Sequence, residues 1–541
     1  MNRVDIRKKK ITVLFALLLS VLVVFGACAP TPNEPSPAPA PVQPAATPTT
    51  PATAPTELGT TGGMQSSRDI INIQLSTDPG NLSPFGPTHA DARRVRRQIF
   101  EPLIDVGYDR QPVGVLAESW EADGDNWLLH LRQGVKFHDG SEFTASDALF
   151  SIRRGREESS TRRFVDYIDI ENSKAIDDYT LLLVMEEPFL FVLPALHNLL
   201  IVSEAAYTAD PDTPIGTGAY KFDNWVLGST VTLQRFEDYW GGPAPIQTAV
   251  FRVIPESAQR VIELEIGGVD LLMDMPEIDF GRLDADPRFE VLNFIAFRSV
   301  GFFFNLSGYS ISDNHDLRVA IAYSIEKEGI NNAIFNGLAR PAVTVVTEQY
   351  VDFNPEWKTF ADNYYQFDLD KAREAFARSG VAEGTTMNLM TNDNPRWINM
   401  AEILQAQLSQ IGINIVISTY ENAVFEDNLR NPNHGWDMAI RDMNSPSGHI
   451  LSKTGAFFAA TGSNRSFYQG EEFNSFINAA QFEQDPARVR YYSDKAAQII
   501  MEDLPAYFIA QMAEFYAWNS ELQNFNIWAL NNVLVHHLYF R

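Results

Sequence analysis

The sequence predicts an α/β fold built as two lobes, and three observations carry that expectation. A helix at Met400 to Ile411 stops at Gly412 and passes directly into the strand Ile413-Asn414-Ile415-Val416-Ile417, the helix-to-strand step of an α/β layer. Helices and strands keep alternating through the second half of the chain. From about residue 68 to 541 the apolar content is ordinary and the length exceeds what one core absorbs, so two or three domains are expected.

The elements follow in order. Ile70-Ile71-Asn72-Ile73-Gln74-Leu75 reads as a first strand, closed by the polar break Ser76 to Asn81. A helix follows from about Ala90 to Phe100, with Arg93, Arg94, Arg96 and Arg97 read as one solvated face. Thr144-Ala145-Ser146-Asp147 forms a capping box before an apolar run. Asp178 to Val184 is a strand, and Tyr220 to Trp225 with Val231 to Arg235 makes a hairpin around Gly228-Ser229. Ser257 to Ile266 is helical, and Gly267-Gly268 ends it before the strand Val269 to Met273. Further helices are expected at Asp316 to Lys327 and at Asp368 to Arg378, the latter ended by Gly380. Trp436 to Ile440 is a strand. Asp485-Pro486 then starts a helix running to about Asp503, with Pro at its first position. A last strand, Ala506 to Ala510, heads back towards the first lobe.

The N-terminal end sets the compartment. Arg7-Lys8-Lys9-Lys10 precedes an apolar run from Ile11 to Phe25 that ends in Gly26-Ala27-Cys28, the layout of a signal peptide over residues 1–28. The run is short for a bilayer span. Cys28 is the single cysteine in 541 residues, so no internal disulfide is open to it. Residues 29–67 are rich in Pro, Ala and Thr, cannot bury enough surface to offset their ordering, and read as an extended tether.

The formal charge of −27, from 42 Lys and Arg against 69 Asp and Glu, argues against nucleic acid as a partner and against electrostatic docking on anionic lipid. Catalytic patterns are missing: there is no Gly-x-Ser-x-Gly elbow, no His-Glu-x-x-His and no phosphate loop. Gly216-Thr217-Gly218 lacks the third glycine and the Lys-Ser/Thr that phosphate binding needs. His536-His537, read as strand, would point to opposite faces and hold no metal. Asp123-Gly124-Asp125-Asn126 reads as a polar turn rather than a calcium loop. No cofactor is expected.

Six segments then occur in a fixed order. They are Asp78-Pro79-Gly80-Asn81-Leu82-Ser83-Pro84; Phe100-Glu101-Pro102-Leu103; Leu116-Ala117-Glu118-Ser119-Trp120; Leu131 to Gly140 with Phe143 to Ala148; Gly216-Thr217-Gly218-Ala219-Tyr220-Lys221-Phe222 with Asp238-Tyr239-Trp240; and Leu317 to Ile325. Together they resemble bacterial extracellular solute-binding family 5, the oligopeptide-, dipeptide- and nickel-binding proteins of ABC importers. Residues 26–28 likewise resemble a lipobox, which implies lipidation of Cys28. The resemblance implies a periplasmic-binding-protein-like fold of type II with an extra subdomain in the first lobe. It places lobe 1 at 68–305, with the subdomain at about 101–205 and completion by 506–541, and lobe 2 at 306–505. Crossing strands near Phe302 to Leu306 and Ala506 to Ala510 would serve as the hinge.

The resemblance also implies the site. Peptide-binding relatives pair a lobe-2 aspartate, in a loop just after a strand, with the ligand's α-amino group. Asp442 matches it, with Asn444 and Pro446 in register; alternatively Asp442 only caps a turn. Trp397 either walls a side-chain pocket or packs in the core. Phe85-Gly86 would present first-lobe backbone to an extended ligand. The implied protein is a lipid-anchored extracytoplasmic monomer, not an enzyme, that passes a peptide to ABC permease subunits. An oligosaccharide or a nickel or metal chelate is the alternative ligand, and a lipid-anchored hydrolase or a sensory lipoprotein the alternative class.

Overall fold

The computed structural model of the chain describes residues 65–86, 89–107, 111–186, 192–347, 350, 353–357, 364–444, 449–460, 462–481, 483, 485–527 and 533–541. Cys28, the run before it and the tether up to residue 64 lie outside the described residues, as do Ser445 and Pro446.

One large mixed sheet organises the fold. In the first half its strands are β1 (Ile70–Leu75), then, after a smaller sheet, β6 (Tyr220–Val226), β7 (Thr230–Arg235), β8 (Thr248–Val253) and β9 (Leu271–Leu272). Two long strands, β10 (Phe289–Phe304) and β14 (Ala506–Asn519), lie antiparallel in its middle. Beyond them stand β11 (Thr386–Asn392), β12 (Asn414–Tyr420) and β13 (Met438–Asn444). The order across the sheet is β12-β11-β13-β10-β14-β9-β1-β8-β7-β6. The smaller antiparallel sheet holds β2 (Ala117–Asp123), β3 (Asn126–Leu131), β4 (Ile168–Asp177) and β5 (Thr180–Met185).

The two long strands join the halves, and their pairing is not continuous. Phe289 to Ile295 faces Asn519 to Ala513; the pairing then slips and resumes with Ser299 opposite Gln511. On the near side of that slip β14 pairs β9, and on the far side β10 pairs β13. The ladder between the two strands is thus interrupted at residues 295–299 and 511–513. Phe302 and Phe304, in the segment expected as the hinge, are core residues. Gly301 is needed there because a Cβ would stand 2.0 Å from the Tyr507 carbonyl oxygen.

Among the described residues the buried apolar side chains form five clusters, and the two largest belong to different halves. One gathers residues from Ile71 to Met273 with the C-terminal Tyr516 to Phe540. Another gathers Val300 to Met512 around α7 (Pro395–Ser409), β11 and β12. The expected helix–Gly–strand step is present, with Gly412 at φ 82° between α7 and β12. α7 begins earlier than Met400 because Asn394 caps it, its Oδ1 accepting from the Arg396 N–H at 2.9 Å, and Pro395 opens the first turn. The helix expected at Asp316 to Lys327 is two: α4 (His315–Tyr323) and α5 (Lys327–Phe335). Glu326 separates them, its carboxylate accepting from the Glu328 and Gly329 N–H groups as the cap of α5.

α1 (Ala90–Ile99) corrects the reading of its arginines as a solvated face. Arg94, Arg96 and Arg97 are only 6%, 2% and 6% exposed. Arg94 pairs with Asp91 at 2.7 Å and with Asp274 at 2.8 Å. Arg96 donates to Asn81 Oδ1 at 2.5 Å, and Arg97 pairs with Asp105. Their partners come from distant segments, and composition alone does not announce them. His536 and His537 sit in a 3-10 turn rather than a strand, with ring centroids 4.1 Å apart.

Candidate functional site

The sequence motifs converge first on a buried network in the first half. Glu101, in the Phe-Glu-Pro-Leu segment, accepts from Thr217 Oγ1 at 2.8 Å, Tyr239 Oη at 2.8 Å and Trp240 Nε1 at 3.0 Å. One carboxylate thus ties the Gly-Thr-Gly-Ala-Tyr and Asp-Tyr-Trp segments together. Gly216 and Gly218 are required by close approach, since Cβ atoms there would stand 2.1 and 2.4 Å from the carbonyls of Ile99 and Gln98. His138 of the Phe-His-Asp-Gly turn bonds the Gly218 carbonyl through Nε2 at 2.8 Å. Beside this network Asp105 holds Arg97 and His197. Burial works to raise the Asp105 carboxyl, but Arg97 and His197 outweigh it and hold it at about 2. These hydrogen bonds give the motifs a structural role, tying distant segments of the first half together.

The second half offers a cavity of about 240 Å³ lined by Asn392, Trp397, Asn422, Phe425, Glu426, Ile440, Arg441, Asp442 and Phe457. β11 and β13 run parallel up to Met390 and Ala439. Their carboxyl ends then contribute Asn392 and Ile440 to Asp442. Two helices start at that edge, α7 with Trp397 and α8 (Asn422–Leu429) with Asn422 and Glu426. This is the crevice outside the carboxyl ends of strands where open α/β sheets take ligands.

Asp442 and Trp397, named independently from the sequence, meet in this cavity. Asp442 stands in β13, not in a loop after it, because the strand runs on to Asn444 through pairing with Arg298 to Phe304 of β10. Its Oδ2 accepts from Arg298 Nε at 2.5 Å, and its side chain is 27% exposed. Oδ1 has no hydrogen-bond partner among the described residues. Trp397, 4% exposed, packs in the second core against Phe335 and is also among the residues that line the cavity. Asn444 ends β13 opposite Arg298.

Phe85 and Gly86 are not brought to this cavity. Phe85 is buried in the first core with its ring 5.5 Å from Tyr207, and its carbonyl accepts from Ser160. The Gly86 carbonyl accepts from Arg96 at 3.2 Å.

Charged neighbours absent from the sequence reading complete the site. Arg441 pairs with Glu426 at 2.8 Å. Lys453, fully buried on α9 (Ile450–Phe458), donates to Ser299 Oγ at 2.7 Å. Burial pulls its ammonium down to about 7, opposed only in part by Asp442. Arg396 reaches Glu277, in the segment before β10, at 3.2 Å. Arg441 adjoins Asp442 in the chain, and that adjacency was the one signal for it. Among the described residues no three His, Cys, Asp or Glu side chains are placed to hold a metal, and no helix is long and apolar enough to cross a membrane.

Comparison with known proteins agrees with this architecture. The profile for bacterial extracellular solute-binding proteins, family 5 (middle region), matches residues 111–465. The dipeptide-binding protein of Escherichia coli K12 is 26% identical over 454 residues, covering 76% of this chain and 83% of that protein. Heme-binding protein A of Haemophilus influenzae is 25% identical over 454 residues, covering 75% and 80%. The structure is similar to that of DppA from Helicobacter pylori, solved with the peptide STSA, at a TM-score of 0.70 and 23% identity, covering 87% of this chain and 98% of that one. The fold is that of the two-lobed periplasmic binding proteins, and relatives of this kind bind substrates for transport rather than transform them. The chain belongs to the bacterial extracellular solute-binding proteins of family 5, which serve ABC importers outside the cytoplasm.

Proposed function

We propose that this protein captures a peptide between its lobes and hands it to the permease subunits of an ABC importer, working as a monomer anchored through a lipid on Cys28. The carrying observation is Asp442, whose Oδ1 is open beside the cavity while Arg298 fixes Oδ2. A carboxylate so held offers an ammonium a charge-assisted hydrogen bond with little rearrangement. Trp397 forms an apolar wall next to it, and Asn444 continues the strand edge. Backbone hydrogen bonds to an extended chain would add affinity without strong sequence preference. In this reading Phe85 and Gly86 support the first-lobe wall through the packing of their loop.

The division implied by the resemblance, lobe 1 at 68–305 with its subdomain at about 101–205 and completion by 506–541, and lobe 2 at 306–505, is kept except on the two long strands, where residues 299–305 and 506–512 pack with lobe 2. The slip between Ile295 and Ser299 supplies the flexible joint about which they close, driven by contacts the ligand makes only in the closed state.

Isothermal titration with tri-alanine and its N-acetylated form tests the peptide reading. The free amine is expected to bind, the acetylated form to lose at least roughly tenfold, and Asp442→Asn to reproduce that loss, as for a desolvated charge pair. Equal affinity for both peptides removes Asp442 from the site. Metabolic labelling with an alkyne fatty acid tests the anchor: label lost on Cys28→Ser supports it, and absence of label in the unaltered protein overturns it.

A further inference from the structure

The donors around the cavity are not used up by the pairs they make. Arg441 commits a single nitrogen, Nη1, to Glu426, and Arg298 commits only Nε to Asp442. A guanidinium carries five N–H donors in a rigid fork. The other nitrogens of both arginines have no hydrogen-bond partner among the described residues. Glu426, moreover, serves three cations. Arg441 stands at 2.8 Å and Arg430 at 3.8 Å. Arg465, with its Nε buried and unpartnered, feels Glu426 as its one opposing charge against Arg430 and Arg441. Arg430 has a second carboxylate in Asp427 at 3.2 Å; Arg441 and Arg465 have none. The wall itself carries one arginine, Arg441, against Asp442 and Glu426. With Arg298, Arg430 and Arg465, which surround these carboxylates and Asp427, four cations stand against three anions among the described residues.

The two ends of the cavity also differ. Asp442 and Arg441 are consecutive residues of β13, so their side chains leave opposite faces of the strand, yet both line the same cavity beyond the end of β11. Both an acceptor for an ammonium, Asp442, and a donor for a carboxylate, Arg441, are thus offered to one cavity of about 240 Å³.

We infer that the cavity bounded by Asp442, Trp397, Glu426 and Arg441 is a subsite for an acidic side chain on the peptide's first residue, with Arg441 as the residue that selects it. This rests on the peptide reading above. The side-chain carboxylate takes the open N–H groups of Arg441, and Glu426 holds the guanidinium in place while competing for it. Trp397 and Phe457 cover the methylene groups. Arg465 adds charge from behind Glu426 without needing to touch the ligand.

Calorimetric titration of the full chain with Glu-Ala-Ala, Gln-Ala-Ala, Lys-Ala-Ala and the C-terminal amide of Glu-Ala-Ala tests this. Glu-Ala-Ala is expected to bind roughly tenfold tighter than Gln-Ala-Ala, the scale of one charge-assisted pair, and Lys-Ala-Ala weakest. The amide is expected to keep the preference. Arg441→Gln should bring the glutamate and glutamine peptides to equal affinity. Glu426→Gln, which frees Arg441, should widen the gap several-fold, so the two variants move in opposite directions and a folding defect in either is recognisable. Equal binding of the three free-acid peptides overturns the subsite and leaves the peptide reading standing. A preference that follows the C-terminal carboxylate instead of the side chain also overturns it. Should no peptide bind, the peptide reading falls, and glutarate decides the rest. Thermal stabilisation by glutarate that Arg441→Gln abolishes retains a carboxylate subsite, and its absence ends it.

Discussion

Both halves of the molecule place arginines against partly or fully buried carboxylates, and the two arrangements differ in what they leave over. Around Glu101 and Asp105 the acceptors are filled: Glu101 takes Thr217, Tyr239 and Trp240, and Asp105 takes Arg97 and His197. Around Asp442 and Glu426 one carboxylate oxygen and most of two guanidinium forks stay open. A carboxylate whose oxygens are all taken specifies structure, because any change leaves a buried partner alone, and this holds although Arg97 keeps Nε and Nη1 buried without a partner among the described residues. One with an oxygen open beside a cavity is a place for something else to bind. What separates the two is whether the carboxylate oxygens are filled.

The comparison is broken hardest in the first half. Arg97→Met leaves Asp105 buried without its main partner and is expected to cost about 3–5 kcal/mol of stability, seen as a large fall in thermal midpoint. The pH dependence gives a second reading. Asp105 titrates at about 2 when folded against an ordinary 3.8, so its stabilisation is present above about pH 4 and fades as pH falls towards 2. In Arg97→Met that acid-dependent part shrinks. If Arg97→Met left stability intact but abolished ligand binding, the division between scaffold and site would be wrong.

Lys453 is expected to show the opposite sign. Its folded value of about 7 lies below the ordinary 10.5, so the folded state bears the cost of a buried charge below pH 7 and sheds it as pH climbs towards 10.5. Lys453→Met is therefore expected to raise stability at pH 6 by about 2 kcal/mol, with the gain disappearing by pH 10. Thermal melts of both proteins across that range check it; a gain independent of pH would mean that packing, not charge, is responsible. Removing the neighbouring carboxylate by Asp442→Asn should shift the same profile, because Asp442 is the group that favours the charged lysine.

Most of the fold was legible in the sequence because its signals are local. The capping box of Thr144 and Asp147, the hairpin turning at Gly228, and the helix between Asp485 and Asp503 are all present as read. What was missed depends on groups far apart in the chain. The arginines of α1 looked solvated because Asp105 and Asp274 reach them only in the fold. Strand β13 looked shorter than it is because Arg441, Asp442 and Asn444 break its apolar run, and pairing with β10 rather than hydrophobic pattern keeps them extended. Asp442 and Trp397 could be named from resemblance, but Arg441, Glu426 and Arg298 could not, since strand register sets Arg298 beside Asp442 and the packing of α8 sets Glu426 beside Arg441.

The smallest expected effect sharpens the comparison most finely. Arg396 and Glu277 join the first turn of α7 to the segment before β10 at 3.2 Å, with side chains 37% and 16% exposed. A pair this open contributes about 1 kcal/mol or less, so Arg396→Gln should leave the thermal midpoint nearly unchanged. In the proposed division the bond spans the two lobes, so losing it should alter their closure, and with it peptide affinity, by about fivefold at most. That change should be the same for Glu-Ala-Ala and Gln-Ala-Ala, because a tie between lobes acts on every ligand alike. A substitution at Arg441 must discriminate between those two peptides, and one at Arg396 must not. If Arg396→Gln instead lowered affinity for the glutamate peptide alone, Arg396 would belong to the carboxylate subsite, and the cation excess would extend along the start of α7.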